Sequence, residues 1–512
     1  MNIAELVRYW ARWRPGHTAV ITDDVRTSWA EFDARSDAIA RGLRAAGVSK
    51  GDRVGMHLDN RIEAPLLTIA CLKLGAILVP LNFKLTGGEI LPLLEDADCK
   101  IVVSQARYLP QLELAAARLP FAIYSIDGRD VPAFSTLSVD MGSAPTEAVG
   151  LGDPGFICYT SGTTGRQKGA LLTHGGAMYP GFAKNIAEGL SWRDSIMVAV
   201  PFVFTGAIIS CFIQFAVNAG GTMVLESDFD IDRYLGVIEK HRVSAATTVP
   251  VVWERLMRSP GFAAADLSSM VSAAAGGAPV SIDLIEAYRA KGVSLIQSYG
   301  LTEASGLAAT MHGEDAMAHI GWAGRPIMGS AMKIGDADGR ALEPGEVGEI
   351  MVRGPHVMRE YWRNPEATAA TIVDGWLRTG DTGTMDEDGF VKIVDRSKDM
   401  IISGGINVYP AEIEKILAAN PHIGELAVIG VPDSEWGEVP MIVASGARDR
   451  VAAMTAFECD GAAGLAPFKR PRRVVFIDDP LPRTLSGKVS KPSLRGRFPA
   501  VPPEAGILFG KR

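Results

Sequence analysis

Cysteine is scarce in this chain of 512 residues: Cys71, Cys99, Cys158, Cys211 and Cys459 form an odd, widely spaced set with no Cys-x-x-Cys pair. That excludes a disulfide framework and a cysteine zinc site, and points to reduced thiols in a cytoplasmic protein. Positive charge is in deficit, with 51 Lys and Arg against 59 Asp and Glu and a net charge of −8. A dedicated nucleic-acid binder would carry a basic stripe, so no nucleic-acid partner is expected. A pocket for a small anion is still allowed, because it needs only local positive charge. The eight histidines share no pattern with a serine, cysteine or aspartate, so no protein nucleophile of the triad kind is expected.

The chain also lacks an uninterrupted apolar run fit for a bilayer. Ala64–Leu81 has Lys73 at its middle. Ile196–Val217 has no charge and is long enough, but contains Pro201, Thr205, Gly206, Ser210 and Gln214. It reads as a buried strand followed by a buried helix, and no integral membrane span is expected. The opening MNIAELVRYWARWRPGH lacks the basic start and apolar centre of a secretory signal and reads as an amphipathic helix ending before Pro15. The closing ILFGKR matches no retention or prenylation signal.

What is present is ordinary globular material, 47% hydrophobic and 21% charged. Single cores stop growing near ~250–300 residues, so at least two domains are expected. Through residues 17–305, short apolar runs (RVGMHL, KIVVS, FICYTS, SIMVAVP, TMVLES, AATTVP, SLIQSYG) alternate with helical patterns such as APLLTIACLKLG and Ile231–His241. Such alternation implies α/β architecture, with parallel-rich sheets covered by helices. From about Ser330, KIGDADGRAL, GEVGEIMVRG and GTMDEDGFVKIVDR read as hairpins with Asp-Gly turns, a β-rich subdomain. A small α+β unit follows, with a helix Tyr409–Asn420 before a strand ELAVIGV. The expected domains are 1–395 and 396–512.

Five segments carry chemistry. Tyr159-Thr-Ser-Gly-Thr-Thr-Gly-Arg-Gln-Lys-Gly169 places a loop of small and hydroxylic residues after a buried strand. Its glycines let backbone N–H groups approach an anion, its hydroxyls add donors and Lys168 adds charge. It grips phosphate, but it is not a Walker A loop, since GxxxxGK[ST] is absent. Ser298-Tyr-Gly-Leu-Thr-Glu303 puts a ring able to stack on a purine beside a carboxylate suited to Mg²⁺. Gly375-Trp-Leu-Arg-Thr-Gly-Asp381 fixes a carboxylate that could accept two ribose hydroxyls. Asp395-Arg-Ser-Lys-Asp-Met-Ile-Ile-Ser-Gly-Gly-Ile-Asn-Val-Tyr-Pro410 joins a charged cluster to a Gly-Gly turn. Pro482-Arg-Thr-Leu-Ser-Gly-Lys488 delivers a lysine, a compact mobile cation able to neutralise a phosphoryl or carboxylate oxygen. Apart from the first, each alone would pass as a turn, a solvated face or a surface residue.

Together, in this order, they resemble the adenylate-forming superfamily of acyl-CoA synthetases, adenylation domains and luciferases. Gly276-Gly-Ala-Pro279, Gly348-Glu-Ile, Tyr361-Trp with Asn364-Pro-Glu-Ala-Thr368, Pro432-Asp with Trp436-Gly-Glu438, and Leu465-Ala-Pro-Phe-Lys-Arg-Pro-Arg472 extend the resemblance over nearly the whole chain. It implies a large N-terminal domain and a small mobile C-terminal lid. The implied activity is an ATP-dependent acyl-CoA synthetase: a carboxylic acid and ATP give acyl-AMP, and coenzyme A then displaces AMP. The implied ligands are the acid, ATP, Mg²⁺ and coenzyme A, with a homodimer as a candidate assembly.

By resemblance, Thr160, Ser161, Gly162, Thr163, Thr164, Gly165 and Lys168 would bind the ATP phosphates. Gly276, Gly277, Ala278, Pro279, Ser298, Tyr299 and Gly300 would surround the adenine. Thr302 would touch the α-phosphate, while Glu303 and Thr164 would hold Mg²⁺. Asp381 and Arg396 would hold the ribose, Lys398 would be the hinge and Lys488 the catalytic lysine of adenylation. Ser403, Gly404 and Gly405 would admit the pantetheine arm, with Trp436 and Phe468 on the CoA adenine and Arg470 and Arg472 near its phosphates. Relatives often show Pro-x-x-His where this chain has Pro201-Phe-Val-Phe204, so Phe202, Phe204 and the small Ser298 imply a more apolar acyl pocket for an apolar or aromatic acid of medium size or larger. Gln167 stands where many relatives have Pro, with little effect expected, and Glu360 where a Gly often stands. The competing readings are a free-standing enzyme loading a carrier protein and a degenerate nucleotide-binding regulator.

Overall fold

The computed structural model describes residues 2–128, 130–139, 147–160, 167–198, 200–227, 230–276, 280–396, 399, 401–403, 406–408, 410–433, 437–465, 469–483 and 488–509. Contacts divide the chain into two compact units. The first is Met1–Met332, Met351–Arg378 and Gly389–Val391; the second is Lys333–Ile350, Thr379–Asp388 and Lys392–Arg512. This grouping of contacts is a different quantity from the functional boundary expected at 395/396.

The first unit holds two mostly parallel sheets. One has nine strands in the order Arg325–Pro326, Ala309–Thr310, Leu295–Tyr299, Ser272–Gly276, Ala245–Thr248, Ser195–Val198, Thr222–Leu225, Thr18–Thr22, Val25–Ser28. From Leu295–Tyr299 to Thr18–Thr22 every neighbouring pair is parallel. The helices Ile231–His241, Pro250–Arg258 and Ile282–Ala290 cover it through Tyr234, Trp253 and Tyr288, all fully buried. Strands buried on both faces lose the in-out alternation and read as continuous apolar runs, as SIMV and TMVL do. The second sheet has seven strands in the order Glu360–Tyr361, Lys168–Thr173, Pro154–Thr160, Ile77–Pro80, Arg53–His57, Ile101–Ser104, Ala122–Ser125. Because parallel strands of a sheet end on one side, loops that carry ligand-binding residues gather there.

Both apolar runs weighed as membrane spans are core. Ala64–Leu81 becomes the buried helix Glu63–Leu74 and the buried strand Ile77–Pro80. Its Lys73 side chain is 0% exposed, and its ammonium meets Asp33 Oδ1 at 2.6 Å and Asp37 Oδ1 at 2.7 Å and donates to Ser36 Oγ at 2.9 Å. It thereby locks the helix Trp29–Ala45 to the helix Glu63–Leu74. Removing one side of such a pair strands two carboxylates, so Lys73→Met is expected to cost about 3 kcal/mol of unfolding free energy. Denaturant melts of the variant check this; an unchanged midpoint would contradict the locking role.

Ile196–Val217 splits, as expected, into the strand Ser195–Val198 and a buried helix Gly206–Val217, but that helix is π-wound. One backbone carbonyl of this helix accepts from a neighbouring side-chain amide, and one side chain of the helix reaches outward. Asn185 Nδ2 donates to Gln214 O at 2.9 Å, and Gln214 Nε2 donates to Ser305 O at 2.7 Å. Among the described residues, no helix is long and apolar enough to cross a membrane. The opening segment forms the helix Ile3–Trp13, with Ile3, Ala4 and Val7 buried.

Three buried histidines give this unit an acid sensitivity. Burial holds His57, His174 and His356 each down to about 4, so they stay neutral in the folded chain. Unfolded, each would titrate near 6.5. Between these values the unfolded chain binds more protons, so stability is full above about 6.5 and is lost as pH falls toward about 4. Urea midpoints across that window check this; a flat profile from pH 7 to 5 would contradict it.

In the second unit, a six-stranded sheet runs Ile406–Val408, Ile401–Ser403, Gly437–Ser445, Arg473–Ile477, Gly506–Ile507, with Glu425–Asp433 also pairing Gly437–Ser445. The helices Pro410–Leu417 and Arg450–Gly464 pack on it through Ile413, Leu417 and Phe457. The expected helix to Asn420 stops earlier because Asn420 turns inward. Its Nδ2 donates to Ala453 O at 2.9 Å and its Oδ1 accepts from His422 N at 3.0 Å. Two of the three expected hairpins form: Gly335 bridges Ala341 around Asp338-Gly339, and Val391–Arg396 pairs with Trp376–Met385, whereas GEVGEIMVRG is the single strand Gly348–Arg353, beside Ala331–Gly335.

Candidate active site

The segment expected to grip phosphate lies between two antiparallel strands, Pro154–Thr160 and Lys168–Thr173, whose register sets Thr160 opposite Lys168. Ser161, Gly162, Thr163, Thr164 and Gly165 lie outside the described residues. The two residues at the loop's base lie within one cluster. Thr160 Oγ1 donates to Glu303 Oε1 at 3.4 Å, and Tyr361 Oη donates to the same oxygen at 2.9 Å. Lys168 Nζ lies 5.0 Å from the Tyr361 ring centroid, within reach of a cation–π contact. Tyr361 reaches this position because Glu360–Tyr361 adds to the sheet edge, with Tyr361 paired to Ala170.

Glu303 comes from the other sheet, on a tight turn, Thr302–Ala304, after the strand Leu295–Tyr299. Gly300 is required there: a Cβ would stand 2.1 Å from Gly306 O. Ser305 and Gly306 take left-handed φ of 52° and 86°. That conformation is held by Ser305 Oγ donating to His356 O at 2.8 Å and by Met358 N donating to Glu303 O at 2.7 Å. Thr302 Oγ1 lies 3.2 Å from Thr205 Oγ1. At the same sheet edge Gly276 pairs with Ser298, and a Cβ at Gly276 would stand 3.3 Å from Ser298 Oγ. Ser298 and Tyr299 are buried. Gly277, Ala278 and Pro279 lie outside the described residues.

Lys168 and Glu303 set one positive and one negative charge at the loop's base. Burial, and then the Glu303 charge, raise the Tyr361 hydroxyl, which keeps it a donor. Burial pushes the neighbouring Cys158 thiol up to about 12, so it does not serve as a thiolate. Carboxylate and hydroxyl oxygens are the hard donors that Mg²⁺ prefers. Among the described residues no group of three or more His, Cys, Asp or Glu forms a metal cage. The Glu303 carboxylate beside the loop expected to grip phosphate fits the usual Mg²⁺ pattern, in which substrate phosphates and water complete the shell.

Phe202 and Phe204 differ in setting. Phe202 is fully buried, its ring 5.7 Å from Phe212, in a chain of rings through Phe32 to Trp29. Phe204 is half-buried at the foot of the π-wound helix.

In the second unit, Asp381 lies buried on the strand Trp376–Met385, and its N–H donates to Thr379 Oγ1 at 3.1 Å. Gly380 before it has φ +69°, and its N–H donates to Glu349 Oε1 at 3.0 Å. Arg396 closes the strand Val391–Arg396. Ser403 ends the strand Ile401–Ser403, opposite Gly437. Arg470 is engaged inside the unit: Nε donates to Leu465 O at 3.0 Å and Nη2 to Ala462 O at 3.1 Å, closing the helix Arg450–Gly464. Arg472 is exposed. Lys488 is half-buried beside the bridge Arg483↔Val489, and Ser490 N donates to Pro482 O at 2.7 Å. Lys398, Gly404, Gly405, Trp436 and Phe468 lie outside the described residues.

The sequence marks Tyr361 without a role and Thr205 only as a polar break in an apolar run, and it does not single out Asn60. Strand pairing reveals Tyr361, and side-chain hydrogen bonds between distant segments reveal Thr205 and Asn60.

Comparison with known proteins identifies the family. The AMP-binding enzyme family matches residues 7–362, and the AMP-binding enzyme C-terminal domain matches residues 412–488. A feruloyl-CoA synthase of Amycolatopsis sp is 39% identical over 493 residues, covering 95% of this chain and 97% of that one. A long-chain-fatty-acid–CoA ligase of Mycobacterium tuberculosis is 34% identical over 507 residues, covering 98% of this chain and 100% of that one. The solved structure of o-succinylbenzoate coenzyme A synthetase from Bacillus subtilis, in complex with ATP and magnesium, superposes with a TM-score of 0.84 at 30% identity and covers 96% of this chain and 99% of that one. The chain therefore belongs to the AMP-binding enzyme family, within the adenylate-forming superfamily.

Proposed function

We propose that this chain is an AMP-forming acyl-CoA ligase. A carboxylate attacks the α-phosphorus of ATP, giving acyl-AMP and pyrophosphate; the CoA thiol then attacks the acyl carbon, giving acyl-CoA and AMP. The observation that carries the reading is the junction of Thr160, Lys168, Glu303 and Tyr361 at the base of the glycine-rich loop. A carboxylate is a poor electrophile because its leaving group would be oxide; acyl-AMP replaces oxide with AMP. Both reactants are anionic, so the protein must orient them and offset their repulsion. Thr160 and Lys168 bind phosphate, Thr302 stands at the α-phosphate, and Lys488 neutralises charge developing during adenylation. Glu303 and Thr164 would hold Mg²⁺, which would supply neutralisation of phosphate charge. Asp381 and Arg396 hold the ribose. The region from 396 onward acts as the lid, turning at Lys398 between the two half-reactions and then presenting Ser403, Gly404 and Gly405 to the pantetheine arm.

Phe204 in place of a histidine removes a polar group from the acyl pocket, so the acid is apolar or aromatic and of medium size or larger. The test is a panel of acids with ATP, Mg²⁺ and CoA, reading AMP and thioester together. Medium and large apolar or aromatic acids are expected to lead. A panel led by acetate or malonate would overturn the substrate class, and AMP formed without any thioester would overturn the CoA step.

A further inference from the structure

Asn60 is 8% exposed and follows the strand Arg53–His57 of the seven-stranded sheet. Its side chain reaches the other sheet. Oδ1 accepts from Phe202 N at 2.7 Å, and Nδ2 donates to Val200 O at 3.3 Å. These groups flank Pro201 and lie just past the strand Ser195–Val198. Beyond a strand's end, backbone groups lose their ladder partners, and a buried one left unpaired is costly. One amide satisfies both and frames Pro201, which has no N–H to offer.

From this clamp a short chain of bonds leads to Phe204. Phe204 N donates to Pro201 O at 3.1 Å, and Phe204 O accepts from Ala207 N at 2.9 Å and Ile208 N at 3.0 Å. Thr205 follows, 3.2 Å from Thr302. The clamp is itself anchored. The preceding Asp59 N donates to Gln105 Oε1 at 2.9 Å, and the Asp59 carboxylate pairs with Arg107 and with Arg61, the latter at 3.2 Å.

We propose that Asn60 is a positioning residue that sets acid selectivity: it holds the Val200–Phe202 turn and so fixes where Phe204 stands. This rests on the reading of Phe204 as a wall of the acyl pocket. No atom of Asn60 needs to touch the acid.

The test uses the full chain with Asn60→Ala, which removes both bonds, and Asn60→Asp, which keeps the acceptor but sets a carboxylate against the Val200 carbonyl. kcat/KM is measured for apolar acids graded in size, with KM for ATP and the thermal midpoint alongside. Both variants are expected to change the ratio of kcat/KM between the best acid and the next smaller one by about 5–10-fold, with KM for ATP moving less than about 2-fold. In a Phe204→Ala background, Asn60→Ala is expected to move that ratio by less than about 2-fold, because groups acting through one another are not additive. Equal loss across all acids with a lowered midpoint would overturn the proposal, since a merely structural role predicts that. An undiminished shift in the Phe204→Ala background would also overturn it. If Phe204→Ala alone left the acid ranking intact, the pocket reading would fall and the proposal with it. Failure of the clamp alone shows differently: Phe204→Ala then changes the ranking while Asn60→Ala does not.

Discussion

Lys488→Ala is expected to lower acyl-AMP formation by roughly 10²–10³-fold, the usual cost of removing one donor aimed at developing charge. It is expected to leave acyl transfer from supplied acyl-AMP to CoA within a few-fold. The split follows from the chemistry of the two steps. Adenylation brings a carboxylate against a phosphate and develops charge on the departing pyrophosphate, so a missing ammonium is felt in the transition state. Thioester formation starts from a neutral acyl carbon with AMP as leaving group, and the proposed lid then presents Ser403, Gly404 and Gly405 instead. Thioester formation from the acid and from supplied acyl-AMP, measured in parallel, separates the two steps. Equal loss in both would mean that Lys488 serves a shared structural purpose. A thermal midpoint within a few degrees of the parent guards against trivial unfolding: Lys488 lies beside the bridge Arg483↔Val489 and the bond from Ser490 N to Pro482 O.

The second large effect is expected at Glu303. Glu303→Gln keeps an oxygen able to accept from the Tyr361 hydroxyl, now 2.9 Å from the carboxylate, but removes the negative charge. If the charge is the function, adenylation falls by roughly 10²-fold or more and the Mg²⁺ concentration for half-maximal rate rises. Folding changes little, because the turn that carries Glu303 is held by its backbone and by Ser305, through Met358 N on Glu303 O at 2.7 Å and Ser305 Oγ on His356 O at 2.8 Å. Titration of the initial rate against Mg²⁺ checks this. A variant with the parent's Mg²⁺ dependence would show that Glu303 only braces Tyr361 and Thr160.

Much of this arrangement was legible in the sequence where the signal is local. Short apolar runs marked parallel strands because strands buried on both faces need nothing else. Asp-Gly pairs marked hairpins because few other residues tolerate the turn. Lys73 argued against a membrane span before its carboxylate partners were known. Other features were not legible, for physical reasons. The π-wound Gly206–Val217 is met by the Asn185 amide, which reaches Gln214 O only in the folded chain. Thr160 and Glu303 are 143 positions apart and join only because two sheets end their strands together. Tyr361 reaches Glu303 through an edge pairing that periodicity does not reveal. Asn60 carries no local signal, and its value comes from Val200 and Phe202, just past a strand of the other sheet. The early end of the helix Pro410–Leu417 depends on a single inward asparagine.

The central claim is that a carboxylate oxygen becomes bonded to the α-phosphorus of ATP. Isotope transfer tests this directly. An accepted acid labelled with ¹⁸O in both carboxyl oxygens is turned over with ATP, Mg²⁺ and CoA, and the products are weighed by mass spectrometry. Attack by the thiol at carbon breaks the acyl C–O bond, so one labelled oxygen is predicted in AMP and one in the acyl-CoA, with none in pyrophosphate. Unlabelled AMP, or label in pyrophosphate, would contradict the account.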